Sequence, residues 1–116
     1  MGTTSYPELT NNISKQIGTL RKDIPAAMKG FSALAQGACS AGELDEKTKE
    51  LIATGIAIAL RCDGCIGFHT KALQKLGTTC AEFEEMLAVA IYMGGGPSLM
   101  YAAQAMDAWD QFGGDR

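Results

Sequence analysis

Long apolar runs are missing from this sequence. None reaches the roughly 18 uninterrupted apolar residues that a membrane-crossing helix needs, so no membrane association is expected. The N-terminus, Met1-Gly2-Thr3-Thr4-Ser5-Tyr6, lacks the charged-then-apolar plan of a signal peptide, and Tyr6 stands where a myristoylation signal has Ser or Thr. Basic excess is missing too. Ten Lys and Arg face 13 Asp and Glu, a net charge of -3 with no basic stripe, which argues against a nucleic-acid partner. There are no repeats, linkers or low-complexity stretches, so residues 1–116 are expected to form a single cytoplasmic domain. In a reducing cytosol its four cysteines are better explained by catalysis or a metal than by a structural disulfide framework.

Helical spacing pervades the chain, and no segment alternates as a strand, which predicts an all-α bundle of about six helices. The first, roughly Glu8 to Lys22, carries Leu9, Ile13, Ile17 and Leu20 on one stripe. Pro25 opens a second, with Met28, Phe31 and Leu34 expected to face inward. A loop over Gly37-Ala38-Cys39-Ser40-Ala41-Gly42 is expected before Asp45, a good N-cap for the third helix. That helix presents Thr48, Leu51, Ile52, Gly55, Ile56 and Ala59 as one tight face, on which Gly and Ala permit close helix approach. The fourth runs from about Cys62 to Leu76 and stops at Gly77. Thr79 and Glu82 form a plausible capping box for the fifth, with Phe83, Met86, Leu87 and Ala90 buried. Gly94-Gly95-Gly96 breaks the chain and Pro97 starts the last, which carries Leu99, Ala103, Met106 and Trp109. The tail Gly113-Gly114-Asp115-Arg116 is expected to be loose.

Chemistry concentrates in Cys62-Asp63-Gly64-Cys65-Ile66-Gly67-Phe68-His69, which brings two thiols and the only histidine within eight residues. On a helix beginning near Cys62, the 3.6-residue period puts Cys62, Cys65 and His69 on one face. The two cysteine Cα atoms would then lie roughly 5 Å apart, within the disulfide window. Unpaired N–H groups and the helix dipole at that end favour thiolate, the reactive form. His69, with an ordinary pKa of about 6.5, suits proton exchange near neutral pH.

Three segments together resemble the carboxymuconolactone decarboxylase superfamily: Leu44-Asp45-Glu46-Lys47-Thr48-Lys49-Glu50-Leu51-Ile52, the Cys62 to His69 run, and Tyr92-Met93-Gly94-Gly95-Gly96-Pro97. The CxxCxxxH pattern is similar to its alkylhydroperoxidase D branch. The resemblance implies a thiol-dependent oxidoreductase that reduces hydroperoxides. By it, Cys65 attacks the peroxide and becomes a sulfenic acid, Cys62 resolves it as disulfide partner, and Glu50 and His69 move protons. It also implies an external dithiol reductant or a peroxiredoxin partner, no bound cofactor, and a homo-oligomer, a trimer or a hexamer. Glu50 lies twelve positions before Cys62, about 18 Å along a straight helix, so the chain must turn near Arg61-Cys62-Asp63-Gly64 for the two to meet. Where some members of the branch carry a further histidine between the cysteines, this chain has Gly64.

Other readings compete. Zinc could be held by Cys62, Cys65, His69 and either Glu50 or Cys80, although three ligands on one helix face suit a tetrahedron poorly. His69 could serve only helix packing, and Glu50 could be a solvated or capping carboxylate. Cys39 and Cys80 stand alone and read as inert thiols. Gly94-Gly95-Gly96-Pro97 reads as a tight turn, since no strand precedes it and no Lys-Ser/Thr follows to complete a phosphate cradle. Met86, Met93, Met100 and Met106 read as core, with a substrate pocket as the alternative. At the level of function, the rivals are a decarboxylase or lactone-processing enzyme and a non-enzymatic redox sensor or oligomeric scaffold.

Overall fold

Capping chemistry sets the helix boundaries. In the computed structural model, which describes residues 4–116, the chain forms α1 (Tyr6–Asp23), α2 (Pro25–Cys39), α3 (Glu46–Leu60), α4 (Asp63–Lys75), α5 (Cys80–Gly94) and α6 (Gly96–Gln111), with no strand among the described residues. Met1, Gly2 and Thr3, on which part of the N-terminal reading depends, lie outside them. Asp45 accepts a hydrogen bond from the Thr48 N–H at 2.8 Å, and Thr79 and Glu82 complete the capping box. Gly77 follows α4 at φ 78°, a left-handed conformation that a side chain would resist.

The core lies where α3, α4, α5 and α6 meet, around Ile58, Ile66, Leu73, Phe83 and Trp109, none more than 2% exposed. The Phe83 and Trp109 rings pack at a centroid distance of 4.8 Å. Such a pair contributes about 1 kcal/mol beyond its area. On the opposite side of α4 the backbone itself is the packing surface. A Cβ on Gly67 would meet Thr10 Cγ2 at 2.7 Å and Tyr6 Cδ1 at 3.3 Å, and one on Gly64 would meet Ile13 Cδ1 at 2.7 Å. The glycines therefore let α1 lie directly on α4. Gly67→Val is expected to destabilise the fold by about 2 kcal/mol through overpacking, read as a lower urea midpoint at unchanged slope. A midpoint equal to that of the parent would mean that α1 is free to lift away.

Several expectations need correction. α2 runs on through Gly37, Ala38 and Cys39, because nothing before Ser40 interrupts its ladder. No residue of α2 is buried: Phe31 and Leu34 are 66% and 67% exposed and Met28 is only partly covered. The hairpin of α1 and α2 reaches past the core, and the Cα radius of gyration, 14.6 Å, exceeds the roughly 13 Å of a spherical chain this long. Leu20, Ile52, Ile56 and Leu99 also face outward. Of the four methionines read as core, Met86 and Met106 pack against it, whereas Met93 and Met100 are exposed. The C-terminal tail is tied down and not loose. Gly114 N–H donates to the Trp109 carbonyl, Trp109 Nε1 donates to the Asp115 carbonyl at 3.1 Å, and Arg116 pairs with Asp110.

Candidate active site

α3 ends at Arg61, which adopts a left-handed conformation at φ 58°. Its N–H and that of Cys62 return to carbonyls in the last turn of α3, and this closes the helix and reverses the chain at the position where the sequence required a turn. α4 then packs back along α3 in one of the most extensive helix contacts of the fold. The reversal brings the second turn of α3 beside the second turn of α4. There Glu50 Oε2 meets His69 Nδ1 at 2.6 Å.

The Glu50 side chain is 12% exposed and that of His69 30% exposed, so the pair is screened from water far more than a surface ion pair is. The carboxylate accepts from Nδ1–H, which fixes the tautomer and leaves Nε2 as the ring position able to accept a proton. Thr54 Oγ1 donates to the Glu50 carbonyl, adding a tie within that helix.

Cys62 is the N-cap of α4, and its sulfur accepts from the Cys65 N–H at 3.2 Å. Cys62 and Cys65 are joined as a disulfide, with Cα atoms 5.2 Å apart. The spacing thus places both sulfurs at the positive end of α4, and His69 lies one turn beyond Cys65 on the same face. The local closure predicted from the three-residue spacing is present.

Cys39 and Cys80 are not brought to this site. Both are free thiols, and burial pushes the Cys80 thiol up, away from the reactive thiolate. Among the described residues, no three His, Cys, Asp or Glu side chains converge as a metal site. Gly64, in the middle of the motif, faces α1, and a histidine there would have to displace Ile13.

Sequence reasoning missed one contact with the motif. Tyr6, fully buried, directs its hydroxyl to Asp63 Oδ1 at 3.2 Å and to Gln104 Oε1 at 3.2 Å. Burial, and after it the Asp63 carboxylate, raises the Tyr6 phenol well above its ordinary range, so it remains a proton donor. Asp63 between the cysteines was the visible signal. Its partner, 57 positions away, had none.

Residues 25–108 match the model of the carboxymuconolactone decarboxylase family. The chain is similar to an uncharacterised protein of Cupriavidus necator, 38% identical over 93% of this chain and 96% of that one. A second uncharacterised protein, from Haemophilus influenzae, is 35% identical over 91% of this chain and 94% of its own length. Among solved structures, the crystal structure of an apo carboxymuconolactone decarboxylase family protein from Legionella pneumophila superposes with a TM-score of 0.93. The two are 51% identical, and the match covers 95% of this chain and 98% of that one.

Proposed function

The chain belongs to the carboxymuconolactone decarboxylase family, and from that premise we propose that it is a thiol-dependent oxidoreductase that reduces hydroperoxides through Cys62 and Cys65. One observation carries the reading: a closed Cys62–Cys65 pair at the start of α4, with the Glu50–His69 hydrogen bond alongside it. In the reduced protein the Cys65 thiolate attacks the outer peroxide oxygen. The O–O bond breaks, the alkoxide takes a proton delivered through His69, and Cys65 is left as a sulfenic acid. Cys62 then attacks that sulfur, forming the disulfide and releasing water. The sum is one hydroperoxide and two thiols giving one alcohol, one water and one disulfide. An external dithiol, free or on a peroxiredoxin partner, restores the thiols by exchange, as a reducing cytoplasm would allow.

The N-cap contact favours a second assignment of the two sulfurs. Cys62 receives the Cys65 N–H and sits closest to the helix dipole, both of which stabilise a thiolate there. A decarboxylase or lactone-processing reaction would instead use polar groups to hold an enolate and has no use for paired sulfurs. Peroxide consumption with a dithiol donor tests the proposal. A disulfide that opens and closes without turnover would leave a redox sensor.

The apolar faces point to self-association. Ile52 and Ile56 of α3 and Val89 and Met93 of α5 are each about half exposed or more, and with Met86 they line a groove of about 420 Å³. Apolar surface this continuous calls for a partner, and a second copy of the chain supplies one in the trimer or hexamer that the family resemblance implies. Sedimentation at micromolar concentration is expected to give that mass, and Ile56→Asp to shift it towards the monomer. A monomeric parent protein would defeat the proposal.

A further inference from the structure

The geometry points to Tyr6 as a positioning residue for the Cys62–Cys65 couple: by holding the Asp63 carboxylate against α1 and α6, its hydroxyl keeps a negative charge away from the sulfur that must ionise. The inference rests on the dithiol reading above and deepens it.

Asp63 is a liability where it stands. It follows the N-cap Cys62 directly and precedes Cys65 by two residues, and a carboxylate near a thiol disfavours the thiolate. Helix geometry resolves part of the conflict. At 100° per residue, Asp63, Gly64 and Gly67 share one side of α4, while Cys65 and His69 lie on roughly the opposite side. The first side faces α1, as the near contacts of Gly64 and Gly67 with Ile13, Thr10 and Tyr6 require. An aspartate side chain at the first position of a helix has room to swing, however, and something must hold it on that side.

Tyr6 supplies the hold. Its ring lies on the bare backbone at Gly67 and its hydroxyl reaches Asp63 Oδ1. A phenol has one proton to give, and of its two acceptors the charged carboxylate takes the stronger bond. Tyr6 is itself anchored: its N–H donates to Gln111 Oε1 at 2.6 Å, and Gln104 of the same α6 flanks its hydroxyl. The Asp63 charge is thus bound from α1, by a tyrosine that α6 anchors in turn. The other charged or titratable groups around this arrangement are Asp107 and Tyr101 of α6, which act on the phenol, Arg61 preceding Cys62, and the Glu50–His69 pair on the far side.

Alkylation of the reduced protein, with each modified cysteine mapped by mass, tests the assignment without reference to peroxide. Tyr6→Phe keeps the ring and removes the hydroxyl. It is expected to slow alkylation of the Cys62–Cys65 pair about three-fold near neutral pH, and to move its pH profile upward by about half a unit. Asp63→Asn removes a charge that the hold already keeps away, and should by itself change the rate less than Tyr6→Phe does. In the Asp63→Asn background, Tyr6→Phe should then change nothing further, because there is no charge left to hold. An unchanged rate in Tyr6→Phe, or the same slowing with and without Asp63, would overturn the inference. If Tyr6→Phe loosens the fold, Cys80 will alkylate as well, and the double variant then decides, because a rate restored to that of Asp63→Asn supports the hold and a rate that stays changed overturns it. A parent protein that consumes no peroxide would sink the peroxidase reading and leave this measurement intact.

Discussion

Cys65→Ser is expected to abolish peroxide consumption altogether, while Cys62→Ser retains a single slow oxidation event per chain and no turnover. The asymmetry follows from the two half-reactions. Without the attacked sulfur no bond to oxygen forms. Without the resolving sulfur the sulfenic acid forms once and waits, open to further oxidation. A serine hydroxyl cannot stand in, because its oxygen, unlike a cysteine sulfur, does not take up the peroxide oxygen to give an intermediate that a thiol can reduce. Trapping the sulfenic acid with a dimedone-type reagent in each single variant identifies the sulfur attacked. The structure makes the reverse outcome informative: Cys62 accepts the Cys65 N–H and caps α4, so a sulfenic acid found at Cys62 would mean that the helix end outweighs the histidine in selecting the nucleophile. Equal, undiminished turnover in both variants would remove the dithiol from the reaction.

The parts of the site that were legible in the sequence were local ones. A disulfide between Cys62 and Cys65 needs only helical spacing, and the reversal at Arg61 was required once Glu50 and His69 were to meet. Capping at Asp45 and Thr79 was equally local, since each bond spans three residues. What could not be read depended on long-range packing. The stripe of Met28, Phe31 and Leu34 has the same period whether it faces its own core or a partner, and amphipathicity does not say which. Gly64 and Gly67 carried no helical signal except weakness, yet they are where α1 touches α4. The tail was judged by its glycines. Its stability comes from Trp109 and Asp110, which hold it through the backbone and through Arg116.

Glu50→Gln and His69→Ala should both slow the reaction at the step where a thiol loses its proton, but by different amounts. His69→Ala removes the proton carrier, and loss of general acid–base assistance lowers turnover about 100-fold. Glu50→Gln leaves the ring in place. The amide can still accept from Nδ1–H, but it no longer stabilises the imidazolium that forms when Nε2 takes the proton, so a fall of about 10-fold is expected. In both variants the apparent pKa for alkylating the Cys62–Cys65 pair should rise, since each loses stabilisation of the thiolate–imidazolium state. The double variant discriminates further. If Glu50 acts only through His69, adding Glu50→Gln to His69→Ala costs nothing more, whereas an independent role for either residue would make the losses multiply. Metal content provides the control: about one zinc per purified chain, with unfolding on chelation, would recast these residues as ligands and the slow variants as metal-depleted protein.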